Sequence, residues 1–154
     1  MIGREWVYYY VKPRFIAEKL MKNDDGTDLV DYKIFCFNGV PQILFLASDR
    51  YTIGEPLKFD WYDIDLNHLP FKSKGYPNAN RQFPNFQEFE EMKEVAAKLS
   101  SGMPFVRVDL YLINHHIYFG EYTFFHDAGF VPLEPWEWEL KMGDMIDINN
   151  IKNR

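Results

Sequence analysis

The sequence has few of the features that mark several common protein classes. It contains one cysteine, Cys36, among 154 residues, which excludes an intramolecular disulfide framework and is typical of a reducing compartment. No apolar run approaches the roughly 18 residues of a membrane-spanning helix, and the first residues do not read as a leader. Acidic residues outnumber basic ones by 23 to 17, which disfavours nucleic acid and anionic membranes as partners. These absences predict a soluble, cytoplasmic protein with no nucleic-acid binding and no membrane insertion.

Common catalytic motifs are missing as well. The chain has no glycine-rich phosphate loop, no nucleophile elbow and no paired-cysteine site. The adjacent His115 and His116 have no Cys or His partner at ligand spacing, which favours a solvated turn. Cys36 lies in an apolar run, which favours a buried filler over a nucleophile.

Aromatic residues, by contrast, are plentiful. Fourteen Phe, 10 Tyr and 4 Trp supply large contact areas and favour a sheet-rich fold. A length of 154 residues is enough for one compact domain and hardly for two, so residues 1–154 are expected to form a single domain.

Turn signals divide the first half of the chain. Residues 7–21 predict a strand, and the Asn, Asp and Gly of residues 22–28 predict a loop. Asn38-Gly39 separates two apolar runs and predicts a type I′ hairpin. Pro41 cannot donate to a strand ladder, so it is expected at an edge or an irregularity. Residues 51–84 have no sustained period and predict an irregular surface excursion.

One segment of the second half has a clear helical period. Apolar residues recur at three- and four-residue spacing near residues 86–100, with Asn85 as the predicted N-cap. The tail, residues 133–154, mixes acids and Trp residues that cap the sheet edge or meet a partner, and the pattern does not choose between them. Strands on both sides of one prominent helix predict an α+β fold with a mainly antiparallel sheet.

The hairpin at residues 107–124 carries one acid on each strand, Asp109 and Glu121. A two-residue turn pairs position 109 with 120 and sends the acids to opposite faces, whereas a three-residue turn pairs 109 with 121. In the second arrangement the acids lie about 5 Å apart at Cβ and need a neutralising group, such as Mg²⁺. Arg107, on the same face, suits a phosphate or one of the acids. The alternative is an ordinary solvated strand face.

A second group of polar residues comes from the first hairpin. The Asn38-Gly39 turn is expected to pair position 33 with 44 and position 31 with 46. This arrangement places Asp31 and Lys33 on one face with Leu44, Leu46 and Ser48, and Arg50 continues that face. Simple pairing of Asp with Lys at a strand end is the alternative.

Three parts of the sequence together resemble one enzyme family. They are "DYKIFCFNGVPQILFLASDR", the predicted helix, and "FVRVDLYLINHHIYFGEYTFF". From about Pro13 to Gly143 the chain is similar to the carboxy-terminal part of an ATP-grasp ligase of the TupA-like family, which is linked to teichuronopeptide and other cell-surface polysaccharide synthesis. The resemblance implies the carboxy-terminal subdomain of an ATP-grasp fold. The amino-terminal nucleotide-binding portion is then expected to be absent or supplied by another polypeptide, and a homodimer is a further expectation.

The resemblance also implies site residues and the cofactors ATP and Mg²⁺. Asp109 and Glu121 would be metal ligands, with Thr123 at a third position that is usually Asn in such enzymes. Glu18, Lys19 and Leu20 match a hinge that contacts adenine, and Asp31 matches an acid that accepts from ribose. The catalytic residues that the resemblance implies, near phosphate or substrate, are Arg107, Lys33 and Arg50.

The activity implied is that of an ATP-dependent carboxylate–amine ligase, a group often listed with glycosyltransferases. ATP would activate a carboxylate as an acyl-phosphate, which an amine then attacks. The expected substrate is a polysaccharide precursor, such as a uronic acid, or an amino acid. The alternative is a catalytically inactive module that binds glycan or a partner through exposed aromatic residues, namely Trp61, Trp136 and Trp138.

Overall fold

In the computed structural model, which describes residues 5–24, 29–48, 54–81 and 86–149, the chain forms seven strands and two α-helices. In chain order these are β1 (Asp31–Phe37), β2 (Val40–Ser48), β3 (Lys58–Asp63), β4 (Lys72–Ser73), α1 (Gln87–Leu99), β5 (Phe105–Ile113), β6 (His116–Thr123), β7 (Leu133–Glu134) and α2 (Glu137–Asp144). Five strands form an antiparallel sheet of order β3-β2-β1-β5-β6, and β4 pairs with β7. The predicted α+β class is confirmed.

Local signals explain two of these elements. Asn38 and Gly39 have φ of 53° and 80°, as a type I′ turn requires, and they join β1 to β2. Helix α1 buries Phe89, Met92 and Ala96, which recur at the predicted spacing. Its N-cap is Phe86, with no side-chain cap hydrogen bond, whereas the predicted N-cap, Asn85, lies outside the described residues.

The sheet buries side chains on both of its faces. Helix α1 covers the face that carries Ile34, Leu44 and Val108, and Cys36 packs there as the predicted apolar filler. Burial raises the pKa of the Cys36 thiol to about 11. The opposite face carries an aromatic cluster of Phe35, Phe37, Ile43, Phe45, Phe59, Trp61, Phe71 and Leu133, against which α2 packs Trp138. Each such large side chain stabilises the fold by about 1.5–3 kcal/mol when it is fully buried.

The predicted strand at residues 7–21 is wrong. A single 3-10 turn, Trp6–Tyr8, is followed by residues 11–23 without regular structure. Tyr10, Phe15 and Ile16 are exposed there, so no sheet face buries the alternate side chains that would stabilise a strand. Among the described residues, no helix is long and apolar enough to cross a membrane.

The irregular excursion predicted for residues 51–84 contains an edge strand of the sheet. Strand β3 pairs with β2 and sends Phe59 and Trp61 into the aromatic cluster. Its alternation of Phe59 and Trp61 with Asp60 and Tyr62 is the two-residue period of a strand. The surrounding Asp and Pro residues obscured that signal.

The predicted pairing between β1 and β2 is wrong by one residue. Cys36 pairs with Pro41 and Phe35 pairs with Ile43, so Gln42 bulges out of the ladder. Pro41 therefore lies at an irregularity, as expected of a residue without an N–H. Beyond the bulge Lys33 pairs with Phe45 instead of position 44, which directs Leu44 and Leu46 under α1.

Candidate functional site

Strands β5 and β6 bring Asp109 directly opposite Glu121, as the predicted metal-binding arrangement requires. The turn that produces this pairing differs from the expected three-residue turn, because it has two residues, Asn114 and His115, with φ of 49° and 65°. A bulge at Gly120 then restores the alignment, since Leu110 pairs with Phe119 while Asp109 pairs with Glu121. Both acids therefore share a face with Arg107.

The bulge depends on the absence of a side chain at position 120. A Cβ on Gly120 would lie 2.9 Å from Tyr111 Cε2 and 3.1 Å from the Asp109 backbone oxygen. We expect Gly120→Ala to lower the free energy of unfolding by about 1–3 kcal/mol, because the backbone must shift. Urea denaturation measures the change.

The matched control is Gly143→Ala in α2. A Cβ there meets nothing within 4 Å, and alanine is favoured over glycine inside a helix by up to about 1 kcal/mol. A Gly120→Ala protein as stable as native would contradict the proposed role of the bulge.

Asp109 is the centre of a buried ion cluster. Its side chain is 2% exposed, which excludes the solvated strand face as an interpretation. Asp109 Oδ1 accepts from Arg107 Nε at 2.7 Å, and Oδ2 accepts from Arg107 Nη2 at 2.7 Å and from Lys33 Nζ at 2.6 Å. A bidentate guanidinium and an ammonium thus neutralise this carboxylate.

Glu121 is joined to the cluster through the same guanidinium. Arg107 Nη2 donates to Glu121 Oε1 at 3.1 Å, and the Thr123 hydroxyl donates to that oxygen at 3.1 Å. The Glu121 side chain is 63% exposed, in contrast to that of Asp109. Within the described part of the chain, no group of three or more His, Cys, Asp or Glu is arranged to hold a metal ion.

Asp31 lies at the other side of Lys33. Lys33 Nζ donates to Asp31 Oδ2, whereas Oδ1 is buried and has no hydrogen-bond partner among the described residues. Burial, partly opposed by Lys33, raises the pKa of the Asp31 carboxyl above its ordinary value. Asp31 is thus an acceptor with unused capacity beside two cations.

His126 belongs to the cluster although no sequence pattern pointed to it. Arg107 Nη1 lies 2.8 Å from His126 Nδ1. Since a guanidinium only donates, Nδ1 is the acceptor. Burial lowers the pKa of the imidazole to about 4, with Asp127 opposing and Arg107 reinforcing that shift. His126 is therefore uncharged at neutral pH.

These groups line a cavity of about 470 Å³. Five acids line it, namely Glu18, Asp31, Asp109, Glu121 and Asp127, against two cations, Lys33 and Arg107. Phe45, Ala47, Phe59 and Met21 contribute an apolar wall.

The remaining predicted site residues lie apart from this cavity or outside the structure. Lys19 and Leu20 are exposed and are not among the cavity-lining residues that the structure describes. Arg50 lies outside the described residues. Thr123 contacts the cluster only through Glu121.

Burial also decides between the alternative interpretations of the three Trp residues and of the His115-His116 pair. Trp61 is fully buried in the aromatic cluster and Trp138 packs on Phe71, so Trp136 alone of the three proposed Trp residues is exposed. The His115-His116 pair is exposed, and His115 Nδ1 meets Glu88, in agreement with a solvated turn.

Comparison with known proteins gives one kind of match. The model of a protein family described as TupA-like ATPgrasp matches residues 1–147. No curated protein and no solved structure matches the chain.

Proposed function

Because this chain belongs to the TupA-like ATPgrasp family, we propose that its cavity binds ATP with Mg²⁺ for a carboxylate–amine ligase reaction in cell-surface polysaccharide synthesis. The observation that carries the proposal is the convergence of Arg107, Lys33 and three acids on one partly buried sheet face beside a cavity. Phosphoryl transfer depends mainly on positioning and charge neutralisation, which such a cluster supplies.

The two cations retain donors for a phosphate. Arg107 makes four hydrogen bonds, so one of its five N–H groups, on Nη1, remains unused within the described part of the chain. Among the described residues Lys33 makes two hydrogen bonds and retains one donor. Both side chains line the cavity, which makes these the donors that would meet a phosphate oxygen.

The charge of the cavity supports a need for a divalent cation. Five carboxylates against two cations leave an excess of three negative charges with His126 uncharged. A bare polyphosphate would be repelled from that lining. Binding of nucleotide should therefore depend on Mg²⁺.

Carboxylate oxygens with unused acceptor capacity support this proposal, although the described residues hold no preassembled group of three such ligands. Among the described residues, Asp109 Oδ1 accepts one hydrogen bond and keeps a lone pair, the Glu121 side chain is exposed, and Asp31 Oδ1 has no partner. Mg²⁺ prefers carboxylate oxygens and keeps several waters. We propose that Asp109 and Glu121 hold the ion, with Thr123 near them. The ion would neutralise negative charge on the phosphates.

The remaining roles are those that the family resemblance implies, and the presence of Glu18 and Asp31 in the cavity lining supports two of them. Glu18 at its rim is proposed to contact the base, with Lys19 and Leu20 beside it in the chain, and Asp31 to accept from ribose. The substrate proposed for the ligase reaction is a uronic acid or an amino acid of a surface polymer. Arg50 stays a predicted contact of phosphate or substrate.

Calorimetry tests the proposal. We expect native protein to bind Mg-ATP and to bind ATP at least about tenfold more weakly with excess EDTA, since each factor of ten corresponds to about 1.4 kcal/mol. Glu121→Gln, an exposed position, should weaken Mg-ATP binding about tenfold through loss of a ligand. Glu55→Gln, a half-exposed acid paired with Lys58 away from the cavity, is the matched control and should bind as native does. Absence of heat with native protein, or equal affinity for both variants, would contradict the proposal.

A glycan-binding module is the second candidate, and one observation favours it. Trp136 is 60% exposed at the start of α2, and exposed aromatic faces suit sugar stacking. Quenching of Trp fluorescence by a uronic-acid oligosaccharide, lost in Trp136→Ala, would support this candidate. A signal that survives that substitution would exclude Trp136 as its source.

A further inference from the structure

The planar Arg107 guanidinium is bonded along two of its edges. Carboxylates contact one of these edges, and an imidazole contacts the other. The Nε and Nη2 edge meets Asp109 and Glu121. On the other edge, Nη1 donates to His126 Nδ1 at 2.8 Å. Because the guanidinium is planar and rigid, the contact on Nη1 adds a further fixed point to the plane that Asp109 and Glu121 hold from the other edge.

The imidazole itself is fixed by packing. Its ring lies 5.0 Å from Phe35, 5.1 Å from Phe45 and 5.5 Å from Trp61, centroid to centroid, with interplanar angles of 80°, 65° and 83°. These edge-on contacts are favourable for aromatic rings and hold the ring plane. The His126 side chain is 16% exposed.

The hydrogen bond also fixes the tautomer. Arginine donates and cannot accept, so Nδ1 carries no proton and the ring proton lies on Nε2. Nε2 is 3.4 Å from Asp127 Oδ2 but makes no hydrogen bond within the described residues. A neutral imidazole with a free Nδ1 lone pair is the form that the surroundings favour.

We infer that His126 is a positioning residue for Arg107, whose Nδ1 lone pair orients the guanidinium so that its unused Nη1 donor faces the cavity. This inference rests on the proposed function, because the value of that donor is contact with a phosphate oxygen. Phenylalanine would also place an aromatic ring against this cluster, so the Nδ1 acceptor is what histidine adds on the side of Arg107.

Two substitutions separate the acceptor from the packing. His126→Phe keeps an aromatic ring against Phe35, Phe45 and Trp61 but removes the acceptor. His126→Asn loses the ring, while its side-chain oxygen stands near the position of Nδ1. We expect Mg-ATP affinity to fall about tenfold in His126→Phe, as for loss of one hydrogen bond to a charged group. His126→Asn should bind within about threefold of native despite its lower stability.

The Mg-ATP affinity of each variant is interpreted only after its folding has been verified. Near-ultraviolet circular dichroism verifies that each variant is folded at the temperature of the calorimetry. Native affinity in His126→Phe would overturn the inference, because packing alone would then suffice. A loss in His126→Asn as large as that in His126→Phe would overturn it too.

A spectroscopic arm keeps the test independent of nucleotide binding. Long-range proton–nitrogen correlation spectra of the native protein should show an unprotonated Nδ1 and a protonated Nε2 at pH 7. The Arg107 Nη1–H signals should exchange faster with water in His126→Phe than in His126→Asn, because Nη1 is the nitrogen that His126 contacts. A protonated Nδ1, or equal exchange in both variants, overturns the positioning role. Failure of native protein to bind Mg-ATP, with these spectra as expected, rejects the proposed function alone.

Discussion

Asp109→Ala is expected to lower the free energy of unfolding by about 3–5 kcal/mol, the range found when one partner of a buried ion pair is removed. The Arg107 and Lys33 side chains are 8% and 9% exposed. Without Asp109, Lys33 keeps Asp31 and Arg107 keeps only the exposed Glu121 as counter-charge. Two cations that are more than nine-tenths buried thus lose their main partner.

Glu121→Ala is the matched control for this prediction. Glu121 pairs with the same guanidinium, but its side chain is 63% exposed. Exposed ion pairs are typically worth less than about 1 kcal/mol, so the loss should be small. Urea denaturation at pH 7 measures both variants. Losses of similar size at the two positions would show that burial does not set the strength of these pairs.

Elements fixed by neighbouring residues were predictable from the sequence. The Asn38-Gly39 turn requires two positive φ angles, which Asn and Gly adopt readily, so these two residues alone predict the turn. The α1 period is likewise contained within one segment. The pairing of Asp109 with Glu121 is one of the two alternatives that the sequence left open, and the structure forms it with a two-residue turn and a bulge instead of the expected three-residue turn.

Bulges were the main source of error, because one inserted residue sends the later side chains of a strand to the opposite face while leaving only a weak local signal in the sequence. Gln42 shifts β2 by one position against β1, and Gly120 does the same in β6 against β5. In the second hairpin the shift restored the predicted pairing, while in the first it displaced Lys33 from position 44 to Phe45. A glycine inside a strand and a proline near a turn are the available signals of such sites.

The candidate site was predictable in part. Strand alternation grouped Arg107 with Asp109 and, in one of two registers, with Glu121, whereas the family resemblance alone joined Lys33 to them. His126 could not be grouped with them, because it lies after β6 in a turn where Asp127 and Ala128 have φ of 47° and 54°. No periodicity relates position 126 to position 107, so only the folded chain brings the imidazole to the guanidinium.

The second large prediction is that the His126 imidazole makes the free energy of unfolding depend on pH. The pKa of His126 is about 4 in the folded protein, against an ordinary value of 6.5. Above pH 6.5 the ring is neutral in both states and contributes no pH dependence. Between pH 6.5 and 4 the unfolded chain binds the proton and the folded protein does not, so unfolding becomes easier. The difference in pKa corresponds to a loss of about 3 kcal/mol by pH 4.

Other groups titrate in the same range, so the native curve alone does not identify the source. Burial raises the pKa of Asp31, which makes the folded state take up its proton first and stabilises it as pH falls. The Glu88 carboxyl, whose pKa its contact with His115 lowers, acts in the opposite direction below its ordinary value of 4.5. Both groups are present in native protein and in His126→Phe. Subtracting the two stability curves therefore removes their contributions.

Urea denaturation of native protein and His126→Phe at intervals from pH 7.5 to pH 4 provides that subtraction. Phenylalanine packs against Phe35, Phe45 and Trp61 but binds no proton, so the variant should lack the imidazole's contribution. The native protein should lose about 3 kcal/mol more than the variant as pH falls from 6.5 to 4. Parallel curves would mean that the imidazole is protonated as readily in the folded state as in the unfolded one. In that case the His126 ring would be protonated in the folded protein below pH 6.5, and Nδ1 could not accept from Arg107 in that range, because a protonated ring has no lone pair to offer it.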